Sequence, residues 1–123
     1  MSKRIITLII ITSITFVMIN LFKNLFSADS EQIANYVKNG ALLVDVRTPQ
    51  EYNAGSVPGA VNIPLDKIEK EIGKLKNNKN GIVVFCKSGG RSSQAANILK
   101  QHGISNVVNG GGWQNVMQAI PQN

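Results

Sequence analysis

The apolar positions of this chain fall into stretches of distinct period. Residues Ile5 to Phe22 carry no charge and are apolar on every face if wound as a helix. Eighteen helical residues reach about 27 Å, close to the thickness of a bilayer core. Further on, Ile33, Tyr36 and Val37 have helical spacing, between Asp29 or Ser30 as a cap and Gly40 as a stop. Leu42-Leu43-Val44-Asp45-Val46 is a short apolar run, read as a buried parallel strand. Thr48-Pro49-Gln50-Glu51 then opens a helix with a cap, a first-turn proline and a Glu three residues after the Thr, and Gly55 ends it. Val57-Pro58-Gly59 turns into a short strand at Ala60 to Ile63.

Leu65, Ile68, Ile72 and Leu75 predict one helix from Leu65 to Leu75, its Lys and Glu residues on a solvated face. Lys76 to Asn80 is a polar turn closed by Gly81. Ile82 to Phe85 is a second buried strand, and it delivers Cys86 at its C-terminal end. A glycine-rich loop leads to a helix from about Arg91 to His102, stopped by Gly103. Val107-Val108 is the last strand. Gly110-Gly111-Gly112 follows and leads into a short helix around Trp113.

This alternation of strands and helices predicts an α/β fold, a parallel sheet covered on both faces. Sites in such sheets form at the C-terminal ends of strands, where Cys86 stands. A length of 123 residues leaves room for one domain. Residues 1–24 are read as a signal peptide or a single transmembrane anchor, and residues 25–123 as the globular domain. Lys3 and Arg4 precede the apolar stretch and Lys23 follows it, which places the N-terminus in the cytoplasm and the domain outside. Phe26-Ser27-Ala28 offers a small residue for cleavage, but Phe26 stands where another is wanted, so an uncleaved anchor is expected. The expected location is the cell envelope, with the domain on its outer side and the membrane reached through residues 5–22.

Charge narrows the partners. The net charge is +6, but beyond residue 28 there are ten Lys and Arg against seven Asp and Glu. With no dense basic run and no aromatics interleaved with basic residues, nucleic acid is not an expected partner. A small anionic substrate suits the modest excess better. Lys67, Lys70, Lys74 and Lys76 are read as a solvated helix face. One Cys and one His cannot make a ligand set, so no metal or other cofactor is expected.

The chemistry gathers at Cys86-Lys87-Ser88-Gly89-Gly90-Arg91-Ser92. A strand-to-helix loop leaves backbone N–H groups without helical partners, and Gly89 and Gly90 let them curl around one centre. Lys87 and Arg91 add positive charge. Such surroundings stabilise a thiolate, an adjacent anion, or a persulfide. Two other readings of the same residues stay open here. Cys86 could serve as a small buried hydrophobe. The loop could hold phosphate, although it lacks the Gly-Lys-Ser/Thr ending of nucleotide loops.

Asp45-Val46-Arg47, Glu51-Tyr52, Gly55 through Pro64, Val84-Phe85-Cys86 with its loop, and Val108-Asn109-Gly110-Gly111 with Trp113 together resemble a rhodanese-homology domain. The likeness spans about residues 25 to 118, and exported single-domain rhodaneses are the nearest group. It implies about five parallel strands flanked by helices, preceded by the N-terminal hydrophobic helix. It also implies a thiosulfate sulfurtransferase in which Cys86 takes a sulfane sulfur from a small anionic donor, holds it as a persulfide, and passes it to cyanide or a thiol. On that resemblance Lys87, Ser88, Gly89, Gly90 and Arg91 bind the donor and cradle the sulfur, and Asp45 and Arg47 support the loops.

Four residues separate Cys86 from Arg91, where cysteine phosphatases place five, so phosphatase or arsenate-reductase activity is not expected. The chain departs from the family at Ser56, where a His is common, and little loss of activity is expected from that. His102, at a helix C-terminus, is read as answering the helix dipole. A sulfur relay to an envelope protein and a non-catalytic binding module are the alternatives to the enzyme. The intact Cys86, Gly89, Gly90 and Arg91 speak against the second.

Overall fold

The computed structural model describes residues 3–26 and 28–121, with the side chains of 19–26 outside the description. Helix α1 (Lys3–Phe26) comes first, then α2 (Ser30–Lys38), strand β1 (Leu42–Asp45), α3 (Pro49–Asn53) and strand β2 (Val61–Asn62). Two 3₁₀ turns, Leu65–Lys67 and Glu69–Glu71, lead into α4 (Ile72–Leu75). Strand β3 (Ile82–Cys86), α5 (Gly90–Gln101), β4 (Val107–Gly112) and α6 (Trp113–Ala119) complete the chain.

The predicted helical segments fold as local chemistry dictates. Asp29 caps α2 by accepting the Gln32 N–H at 2.8 Å. Thr48 and Glu51 close a reciprocal capping box over α3, with Pro49 in the first turn. The expected single helix over Leu65 to Leu75 is instead two 3₁₀ turns and one short α-helix. Its first two apolar residues, Leu65 and Ile68, are three apart, the period of a 3₁₀ turn, and Gly73 is a poor helix former. The apolar positions still face inward, with Ile68, Ile72 and Leu75 all buried.

The sheet has four parallel strands in the order β2-β1-β3-β4 among the described residues. The α/β parallel fold is thus as expected, and five strands was approximate. β3 lies at the centre and is buried along its whole length. Val83, Val84 and Phe85 are wholly inaccessible, and burial of each such side chain stabilises the fold by roughly 1.5–3 kcal/mol. Its alternation divides the core. Ile82, Val84 and Cys86 pack with Val44, Ile68, Ala95 and Leu99 on one face. Val83 and Phe85 pack with Ile33, Leu43, Val108 and Val116 on the other.

β4 is longer than expected. The three glycines read as leading from it into the next helix are part of the strand, which takes a bulge. Val84 pairs with Asn109 but Cys86 pairs with Gly112, so β4 spends one extra residue there. Gly111, at φ +78°, absorbs the bend.

Among the described residues no helix is long and apolar enough to cross a membrane. The expected span of residues 5–22 runs on past Met18, where side chains lie outside the description. Within the described part, Leu8, Ile14, Phe16 and Met18 are exposed.

Candidate active site

Cys86 ends the central strand and is itself buried, at 1% exposure. Gly89 adopts φ +105°, a conformation open to glycine, and thereby turns its N–H back onto Cys86 Sγ at 3.0 Å. Helix α5 begins at the next residue. The Ser92 hydroxyl lies 3.4 Å from the sulfur. Burial pushes the Cys86 thiol up, but the hydrogen bonds of the Ser92 hydroxyl and of the Ser92, Ser88 and Gly89 backbone outweigh it. The thiol therefore ionises below its ordinary value.

Of the residues expected at the site, the structure brings the Ser88 and Gly89 backbone to the sulfur, and Gly90 opens α5 just after them. Lys87 is exposed at the loop's rim, and among the described residues it makes no ion pair. Arg91 is held by Glu51 in a two-point bond, Nη1 to Oε1 at 2.7 Å and Nη2 to Oε2 at 3.0 Å. That pairing draws the Glu51 carboxyl down to about 2. It also raises the Arg91 pKa, against burial, with lesser help from the charges of Glu51, Cys86 and Asp45.

Asp45 and Arg47 form a separate buried brace. Arg47 donates from its backbone N–H, Nε and Nη2 to the Asp45 carboxylate at 2.8–3.1 Å, and Nη2 also reaches the Gly55 carbonyl at 2.7 Å. Ser56, at the position where the resembled family often has His, donates to Asp45 Oδ2 at 2.7 Å. Asn62 ties β2 to the Asp45 and Arg47 carbonyls, and the Arg47 guanidinium lies 5.3 Å from the centre of the Trp113 ring. His102 sits away from the sulfur, its Nδ1 2.8 Å from the Ile98 carbonyl.

Three functional neighbours were not assigned roles from sequence. Ser92 shares the buried stripe of α5 with Ala95, Ala96 and Leu99, spaced i, i+3, i+4 and i+7. A hydroxyl on an otherwise apolar stripe was the available signal. Asn109 is likewise a polar residue on the Cys86 side of β4, and accepts from Ser92 Oγ at 2.6 Å. Glu51 was visible as a helix-capping residue and within the Glu51-Tyr52 likeness, with no role assigned beside Arg91. No local pattern links it to Arg91, forty positions later.

An open groove of about 580 Å³ adjoins the loop, lined by Ser88, Gly89, Gly90, Ser93, Gln94, Gly111, Gly112 and Asn115, all uncharged. A second groove, of about 590 Å³, lies at the β2 edge beside Val61, Ile63 and Pro64 and contains none of the sulfur-loop residues.

Residues 29–119 match the model of the Rhodanese-like domain. Thiosulfate sulfurtransferase PspE of Escherichia coli is 39% identical over 80 residues, which cover 64% of this chain and 75% of that protein. A sulfurtransferase of Allochromatium vinosum is 35% identical over 83 residues, 66% of this chain and 77% of that one. Among solved structures, a rhodanese with anions from E. coli superposes with a TM-score of 0.60 at 35% identity, covering 67% of this chain and 95% of that one.

Proposed function

The chain belongs to the rhodanese-like family, and from that membership we propose that it is a thiosulfate sulfurtransferase working through a Cys86 persulfide. The observation that carries this reading is the buried sulfur at the head of β3, held by the Gly89 N–H and the Ser92 hydroxyl. The Cys86 thiolate attacks the outer sulfur of thiosulfate. The S–S bond of the donor breaks, and sulfite leaves with its electron pair. The new Cys86–S–S⁻ keeps its negative charge among the same N–H donors. A nucleophile such as cyanide then attacks the terminal sulfur and departs as thiocyanate, returning the thiolate.

Lys87 supplies the unpaired positive charge that meets the anionic donor. Arg91, already bonded to Glu51, steadies the start of α5 and adds its field to the loop. Asp45 and Arg47 keep the neighbouring turns in place. The apolar N-terminal helix supports a location at the cell envelope, the domain on the outer side.

Intact-protein mass after incubation with thiosulfate tests the cycle. The wild type is expected to gain one sulfur atom and lose it to cyanide, and Cys86→Ser is expected to gain none. No gain in the wild type removes thiosulfate as donor and transfers the site to a protein-to-protein sulfur relay, which a partner trapped through Cys86 would reveal.

A further inference from the structure

The Asn109 carboxamide has one orientation open to it. Its Nδ2 donates to the Gly89 carbonyl at 3.1 Å, and its Oδ1 accepts the Gly111 N–H at 2.9 Å. Turning the amide over would set oxygen against carbonyl and NH₂ against N–H. Oδ1 is therefore fixed as an acceptor, and the Ser92 hydroxyl is the donor to it at 2.6 Å, a shorter contact than the 3.1 Å to its other acceptor, the Gly89 carbonyl. A serine has one such proton. While it points at Asn109, only lone pairs face Cys86 Sγ, 3.4 Å away. Those lone pairs suit a neutral thiol, which donates. They do not suit a thiolate, which only accepts. On ionisation the hydroxyl must swing to the sulfur, while Oδ1 keeps the Gly111 N–H.

We propose that Asn109 is a positioning residue for the sulfur chemistry. It stations the Ser92 hydroxyl beside Cys86 so that one proton serves two states, turned to Asn109 beside a thiol and to the sulfur beside a thiolate or persulfide. Burial makes the arrangement binding, since Ser92 is wholly inaccessible and Asn109 is 8% exposed, so bulk water does not stand in for either. The position follows from the fold. The β4 bulge turns Gly111 so that its N–H reaches Oδ1, and the inward stripe of α5 brings Ser92 to the same point. The proposal rests on the sulfurtransferase reading for its purpose, but its geometry concerns the thiol alone.

The test is the pH dependence of Cys86 alkylation by iodoacetamide in the full chain, whose single cysteine makes the readout unambiguous. Wild type, Ser92→Ala, Asn109→Ala and the double variant are compared. Ser92→Ala is expected to move the midpoint upward, and alkylation below it slows roughly tenfold for every pH unit by which the midpoint rises. Asn109→Ala is expected to move the midpoint when Ser92 is present and to add nothing when residue 92 is alanine. A Ser92→Ala midpoint equal to wild type overturns the proposal. So does an Asn109→Ala change of the same size in both backgrounds. Should Asn109→Ala fail to fold, Asn109→Leu fills the site without polar atoms and is read in the same way. Persulfide formation is followed separately by mass. A wild type that shows the coupled midpoints but gains no sulfur loses the sulfurtransferase reading and keeps this one.

Discussion

At Glu51 a single carboxylate closes the α3 cap and holds Arg91, and its protonation is set by the second task. Its pKa falls from 4.5 to about 2 in the folded chain. A depressed carboxylate contributes stability above its unfolded value, and that contribution disappears as pH falls through the folded one. The urea midpoint of wild type is therefore expected to exceed that of Glu51→Gln by a constant margin above about pH 5, the gap closing toward pH 2. The bond to Arg91 accordingly persists wherever Cys86 titrates, and the pH profile of sulfur transfer is expected to follow the thiol. Iodoacetamide should react with wild-type Cys86 with a midpoint below that of a free cysteine. Cys86, its loop and the Asp45–Arg47 pair were legible in the sequence because each sits in a local motif. Ser92, Asn109 and the Glu51–Arg91 bond were not, because they join residues 17 and 40 positions apart across the sheet.

Among the elements, the capping box and the glycine strand offer the cleanest tests. Thr48→Ala removes the cap of α3 and is expected to cost about 1 kcal/mol, read by urea denaturation. Gly112 has φ −76°, which any residue adopts, so its requirement is one of space. A Cβ there would stand 2.8 Å from the Lys87 carbonyl oxygen, which is backbone of the sulfur loop. Gly112→Ala is expected to displace that loop and lower persulfide formation at least tenfold, with a stability loss of about 1–3 kcal/mol. Periodicity found nearly every element, because buried strands and capped helices write themselves in neighbouring residues. It misread Leu65 to Leu75, where inward positions three and four apart serve a 3₁₀ turn as well as an α-helix. It also shortened β4, since glycines in a bulged strand look like a loop.

For the whole molecule, β3 sets the architecture. With β1 it is one of two inner strands that serve both core faces, and its last residue is Cys86. The proposed anchor in the N-terminal segment has its own test. The full chain is expected in the membrane fraction after carbonate washing, and a chain beginning at residue 25 in the soluble fraction with an unchanged Cys86 alkylation rate. The Ala28 N–H donates to the Asn109 carbonyl at 2.7 Å, while the Asn109 side chain steadies Ser92 and Gly89. In mechanical language, the leading end of the domain is hitched to the peg that props up the sulfur loop. Asn109 is also seated in the sheet opposite Val84, so the hitch, the sheet and the sulfur loop share one peg.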